Sequence, residues 1–94
     1  MQKKSKKILI TGASRGIGKD IALKSKAKGY EVLGTSTTNE GVSNLKQNGI
    51  YGLELDLNNI ESVESFNDLL IQEHSDIAVL INNAGITRDN IVLR

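Results

Sequence analysis

Apolar and polar positions along this chain alternate between strand-like runs and helix-like spacing. Ile8-Leu9-Ile10 is a short continuous apolar run between Lys7 and Thr11. Such a run suits a central parallel strand covered on both faces, predicted over Lys7 to Thr11. Beyond it Ile17, Ile21, Ala22 and Ser25 recur at helical spacing, predicting a helix from about Gly16 to Lys28 with those residues as its narrow inner stripe. Lys19, Lys24, Lys26 and Lys28 face water and crowd toward the end where cations suit the helix dipole. Gly29 then supplies a left-handed cap.

The same alternation continues. Tyr30 to Thr35 reads as a second strand, and a short helix from about Glu40 to Asn48 follows, anchored by Val42 and Leu45 and closed by Gly49. Ile50 to Leu55 is a third strand ending at Asp56-Leu57. Asn58 or Asn59 caps a third helix whose early turns hold Glu61 and Glu64. Ile60, Val63, Phe66, Leu69 and Leu70 share its apolar face, and Ile77 to Ile81 is a fourth strand. The order β-α-β-α-β-α-β implies an α/β fold, a doubly wound parallel sheet of the Rossmann type with right-handed crossovers. Its expected strand order is 3-2-1-4, with a ligand at the carboxyl ends of the first and fourth strands.

The residues at those ends have matching chemistry. Thr11-Gly12-Ala13-Ser14-Arg15-Gly16-Ile17-Gly18 is a glycine-rich turn between a strand and a helix. Backbone N–H groups and the positive end of the helix dipole meet there, which suits a phosphate. Gly12 permits the sharp turn, Gly16 lets backbone approach a pyrophosphate, and Gly18 lets helix and strand pack closely. The spacing is G-x-x-x-G-x-G rather than the commoner G-x-G-x-x-G.

Composition removes other classes. The chain has 94 residues, enough for one small domain, and its 38% hydrophobic content includes few aromatics, so the core is aliphatic. A net charge of +1 argues against general polyanion binding. Lys3, Lys4, Lys6 and Lys7 form a basic arm, but no aromatic or arginine interleaves to read a base. A solvated tail is expected, and no nucleic-acid partner. Cysteine is absent, so there is no disulfide framework or thiolate metal site, and no His/Asp/Glu cluster has metal-ligand spacing. No apolar run reaches the roughly 18 residues of a membrane helix, and the N-terminus lacks the apolar region of a secretory signal. A soluble cytoplasmic protein without membrane contact is the expectation. His74, the one histidine, falls near the end of the third helix, where a cap or surface role is expected.

The turn resembles the cofactor turn of the short-chain dehydrogenase/reductases. The later run Asn82-Asn83-Ala84-Gly85-Ile86-Thr87-Arg88-Asp89-Asn90 is similar to that of the bacterial 3-oxoacyl-[acyl-carrier-protein] reductases. The likeness extends from Ile8 to Arg94. It implies hydride transfer from NADPH to a 3-oxoacyl-acyl-carrier-protein thioester in fatty-acid synthesis, by an enzyme that is usually a tetramer. It also implies cofactor contacts by Gly12, Ala13, Ser14, Arg15, Gly16, Ile17 and Gly18. Asp56 and the Leu57 backbone would meet adenine, and Asn83, Ala84 and Gly85 the ribose side.

The cofactor preference is also open to residue-level argument. NAD sites commonly place an acid about twenty residues after the glycine turn. Thr35-Ser36-Thr37-Thr38 stands there instead, and the nearest acid, Glu40, starts the next helix. Without that carboxylate a 2′-phosphate meets no repulsion, and Arg15 supplies a cation with several donors. The resemblance adds Thr37 to the 2′-phosphate contacts, so NADPH/NADP+ is the expected cofactor.

The family's proton donor is a tyrosine followed four residues later by a lysine. Tyr30 is followed at that spacing by Gly34, and Tyr51 by Leu55, so no catalytic residue is assigned. Residues 1–94 are therefore read as the dinucleotide-binding part of a single Rossmann-type domain, cut short at its C-terminal end. Alone they are expected to show no turnover and to expose Val79, Leu80 and Ile81 on an uncovered edge. A non-catalytic dinucleotide-binding module and a relative reducing another carbonyl are the alternatives.

Overall fold

Strands alternate with helices throughout residues 6–83, the part of the chain that the computed structural model describes. They are β1 (Lys7–Thr11), α1 (Gly16–Ala27), β2 (Glu31–Ser36), α2 (Asn39–Gln47), β3 (Tyr51–Glu54), α3 (Ile60–Glu73) and β4 (Ile77–Asn82). The sheet order is β3-β2-β1-β4, with every pairing parallel. Leu9 of β1 lies between Leu33 of β2 and Leu80 of β4, so the first strand is central, as its continuous apolar run requires.

Period-two alternation along the strands divides the core. Ile8, Ile10 and Val32 face α1 and α2, packing with Ala22, Leu45 and Ile50. Leu9, Leu33 and Leu53 face α3, where Val63, Phe66 and Leu70 cover them. Leu69 is partly buried on the same cluster.

Element ends follow local chemistry. Thr38 caps α2, its Oγ1 accepting the Gly41 N–H at 3.0 Å. Asn59, not Asn58, caps α3, and its Oδ1 accepts from Glu61 and Ser62 at 3.0 and 3.2 Å. Gly29 and Gly49 follow α1 and α2 with φ of 98° and 76°. Against expectation, β2 starts and ends one residue later, β3 is shorter at both ends, and β4 gains Asn82.

Two apolar residues assigned to inner faces lie outside. Ile17 is 73% exposed and Ile60 63% exposed. Each occupies the first turn of its helix, where Cβ leans back toward the N-terminus and beyond the end of the supporting strand. Periodicity alone gives the angle around a helix but not this overhang. Of the two roles expected for His74, the structure gives it the cap, closing α3. Its side chain is buried at 7% exposure rather than lying on the surface. It packs edge-on against Tyr51, ring centroids 5.0 Å apart.

β4 lies at the edge of the described sheet, with Val79 exposed and Leu80 and Ile81 half-buried. The basic arm lies mostly outside the described residues. Lys7 is tied down, its Nζ 3.1 Å from Asp76 Oδ1. No helix among the described residues is long and apolar enough to cross a membrane.

Candidate functional site

A cleft of about 250 Å³ opens at the carboxyl ends of β1, β2 and β3. Gly12, Ser14 and Arg15 of the glycine turn line it, together with Thr37, Asp56, Leu57 and Asn83. Residues far apart in sequence meet there because parallel crossovers bring every strand out at the same pole.

The turn has the backbone of an anion site. Gly12 and Gly16 have φ of 66° and 62°, in the left-handed region that favours glycine. The first backbone bond of α1 runs from Lys19 N–H to Arg15 O at 3.3 Å. The N–H groups of Gly16, Ile17 and Gly18 therefore precede the helical ladder. Arg15 holds the N-cap position without a side-chain cap bond, and the first turn contains no acid. These donors and the helix dipole are thus left for an anion. The Arg15 side chain is exposed and makes no ion pair among the described residues.

Neighbouring strands hold the turn in place. Gly12 N–H donates to Thr35 Oγ1 at 3.0 Å, and Ala13 N–H donates to Thr35 O at 2.9 Å. On the other side Asn83 Nδ2 donates to Gly12 O at 3.0 Å, while Asn83 N–H donates to Thr11 Oγ1 at 3.0 Å. One residue, Gly12, is thus gripped through its N–H from β2 and through its carbonyl from the end of β4.

The remaining expected site residues divide by position. Ala13 is fully buried, its methyl group in the core rather than lining the cleft. Gly16, Ile17 and Gly18 form the first turn of α1, with Gly18 buried beneath it. Asp56 Oδ1 accepts the Asn58 N–H at 3.0 Å, and Asp56 N–H donates to Ser62 Oγ at 2.9 Å, so Asp56 is also a turn-former. Ala84 and Gly85 lie outside the described residues.

Two contributors escaped the sequence reading. Thr35 stands in the sequence only as one of four hydroxyl residues in place of an acid, yet it is 2% exposed and its hydroxyl is spent on Gly12. Gly41 stands where a Cβ would overlap Ser36 Oγ and approach Ser14 Cβ to 3.1 Å, so it lets α2 start close to the turn. A glycine inside a short amphipathic helix was the available signal. A larger hollow of about 520 Å³ adjoins the cleft beside α3, sharing Thr37 and Asp56. Glu54 and Glu61 line it, which disfavours an anion there. Tyr30 and Tyr51 stand at the amino ends of β2 and β3, the pole opposite the cleft. Among the described residues no cluster of His, Asp or Glu has the geometry of a metal site.

These features define a doubly wound α/β protein with a glycine-rich turn and an uncapped helix start at the carboxyl pole of its sheet. Residues 6–93 match the short chain dehydrogenase family, and the chain belongs to it. It is similar to the 3-oxoacyl-[acyl-carrier-protein] reductase FabG of Buchnera aphidicola subsp. Schizaphis graminum, 44% identical over 97 residues that cover 99% of this chain and 39% of the relative. The enzyme of the same name from Vibrio cholerae is 42% identical over 98 residues, covering 100% of this chain and 40% of its own. That from Escherichia coli is 42% identical over 90 residues, covering 92% and 36%. The chain thus spans about two-fifths of the length of these relatives.

Proposed function

We propose that this chain is the cofactor-binding part of an NADPH-dependent oxidoreductase that reduces a 3-oxoacyl-acyl-carrier-protein thioester to its 3-hydroxyacyl product. The observation that supports it most is the uncapped start of α1 beside a strand end that lacks an acid. The pyrophosphate would sit on the free N–H groups of Gly16, Ile17 and Gly18, with Ser14 lining the approach. Arg15 and Thr37, both lining the cleft, would hold the 2′-phosphate. Asp56 and the Leu57 backbone would meet adenine. Asn83 would hold the turn while facing the cofactor, and Ala84 and Gly85 would border the ribose. When bound, the dinucleotide supplies the hydride. This chain's residues bind and orient it.

The substrate reading rests on the names of the relatives, each a 3-oxoacyl-[acyl-carrier-protein] reductase. The proton donor would come from outside residues 1–94, since neither tyrosine stands at the cleft. Residues 1–94 would then be one part of a single dinucleotide-binding domain, in a cytoplasmic enzyme that assembles as a tetramer. The test is to titrate the full-length protein with NADPH and NADH, then follow NADPH oxidation with a 3-oxoacyl thioester. Tighter binding of NADPH and turnover with that thioester are expected. Binding without turnover on any carbonyl compound would favour a non-catalytic module.

A further inference from the structure

Thr35 stands apart from the other hydroxyl residues at the end of β2. Thr37 and Thr38 are exposed, and Ser36, though 5% exposed, turns its Oγ to the Thr38 N–H, whereas Thr35 is 2% exposed and its hydroxyl meets the glycine turn. Its Oγ1 accepts the Gly12 N–H at 3.0 Å and its carbonyl accepts the Ala13 N–H at 2.9 Å. Both amides at the front of the turn are therefore occupied within the protein. Gly12 has φ of 66° and Gly16 φ of 62°, so the turn depends on a peptide course that few residues adopt. A hydrogen bond to the first of them fixes where the chain leaves β1, and with it the direction of the N–H groups that follow.

We infer that Thr35 is a positioning residue for the phosphate-binding turn, acting through Gly12 and touching no part of the ligand. This rests on the dinucleotide reading above and adds a division of labour to it. Gly12 and Ala13 amides serve the fold, and the amides at the start of α1 serve the phosphates. Because the pyrophosphate is common to both dinucleotides, loss of the Thr35 hydroxyl weakens NADPH and NADH by the same factor. Loss of a 2′-phosphate contact weakens NADPH alone. The two roles at one strand end are thereby separable.

The test uses the full-length protein carrying Thr35→Val, which keeps shape and removes the acceptor, and Thr35→Ser, which keeps the acceptor. Dissociation constants for NADPH and NADH come from fluorescence titration. Thr35→Val is expected to weaken both about three- to tenfold, the effect of one lost hydrogen bond, and Thr35→Ser to restore both. Unchanged binding in Thr35→Val, or a loss confined to NADPH, overturns the inference. Amide hydrogen exchange on the unmodified protein gives a reading that needs no variant to fold. Gly12 and Ala13 are expected to be protected before ligand is added, with Gly16 to Gly18 gaining protection on binding. Free exchange at Gly12 in the unliganded protein overturns the clamp. Protected Gly12 and Ala13 in a protein that binds neither dinucleotide would support the clamp and remove the cofactor reading instead.

Discussion

Gly18 lies so close to Gly12 that a methyl group on it would overlap the Gly12 carbonyl oxygen and come within 2.6 Å of Asn83 Nδ2. That carbonyl is the one Asn83 binds, so the first turn of α1, the glycine turn and the end of β4 share a single contact point. Backbone cannot yield as a flexible side chain does. Gly18→Ala is therefore expected to destabilise the full-length protein by about 1–3 kcal/mol, as overpacking does. Urea unfolding measures it, and an unchanged midpoint would contradict the packing described.

Gly16 differs from Gly18 in the reason for its glycine. Apart from its chain neighbours and its own helix backbone, no atom of the described residues lies within 4 Å of a Cβ placed there, but φ is 62°. Gly16→Val therefore meets backbone strain rather than a clash, and its branched side chain stands beside the N–H groups offered to phosphate. Dinucleotide binding is expected to fail while circular dichroism still reports folded protein. Normal binding by that variant would move the phosphate site elsewhere.

In the proposed reading, Arg15 is the residue that separates the two cofactors. Its exposed guanidinium lines the cleft beside Thr37 and has no protein partner among the described residues. Arg15→Ala in the full-length protein is expected to weaken NADPH by about 1.5–3 kcal/mol, on the order of ten- to a hundredfold, with NADH nearly unchanged. Parallel titrations check this, and equal losses would assign Arg15 to a part that both cofactors share.

His74 should be replaceable at a gain. Both ring nitrogens are buried and neither has a hydrogen-bond partner among the described residues. Phenylalanine keeps the edge-on contact with Tyr51 and removes the unpaired polar atoms. His74→Phe is expected to stabilise by about 1 kcal/mol, read as a higher urea midpoint with an unchanged slope. A lower midpoint would show that the imidazole has a partner.

The cap of α3 offers a smaller test. Asn59 Oδ1 accepts two backbone N–H groups, and Asn59→Ala should cost about 1 kcal/mol of stability. The same change at Asn58, whose N–H rather than side chain is engaged with Asp56, should cost less. Equal losses would mean the cap is wrongly assigned.

Local pattern was enough for the order of elements, the parallel sheet with β1 at its centre, and the glycine turn at the carboxyl pole. Each of these depends on neighbours a few residues apart, or on the handedness that all parallel crossovers share. Asn59 was one of two candidates, and only its bonds to Glu61 and Ser62 chose it. Other features arise where strand ends meet. Thr35 reaches Gly12 across 23 positions, and Asn83 reaches it across 71. No periodicity encodes which hydroxyl in Thr35-Ser36-Thr37-Thr38 meets Gly12, because that depends on the register of β2 against β1. Ile17 and Ile60 are exposed for a related reason. A helix wheel shows the direction of a side chain but not whether a strand lies beneath it, and at the first turn of α1 and of α3 none does.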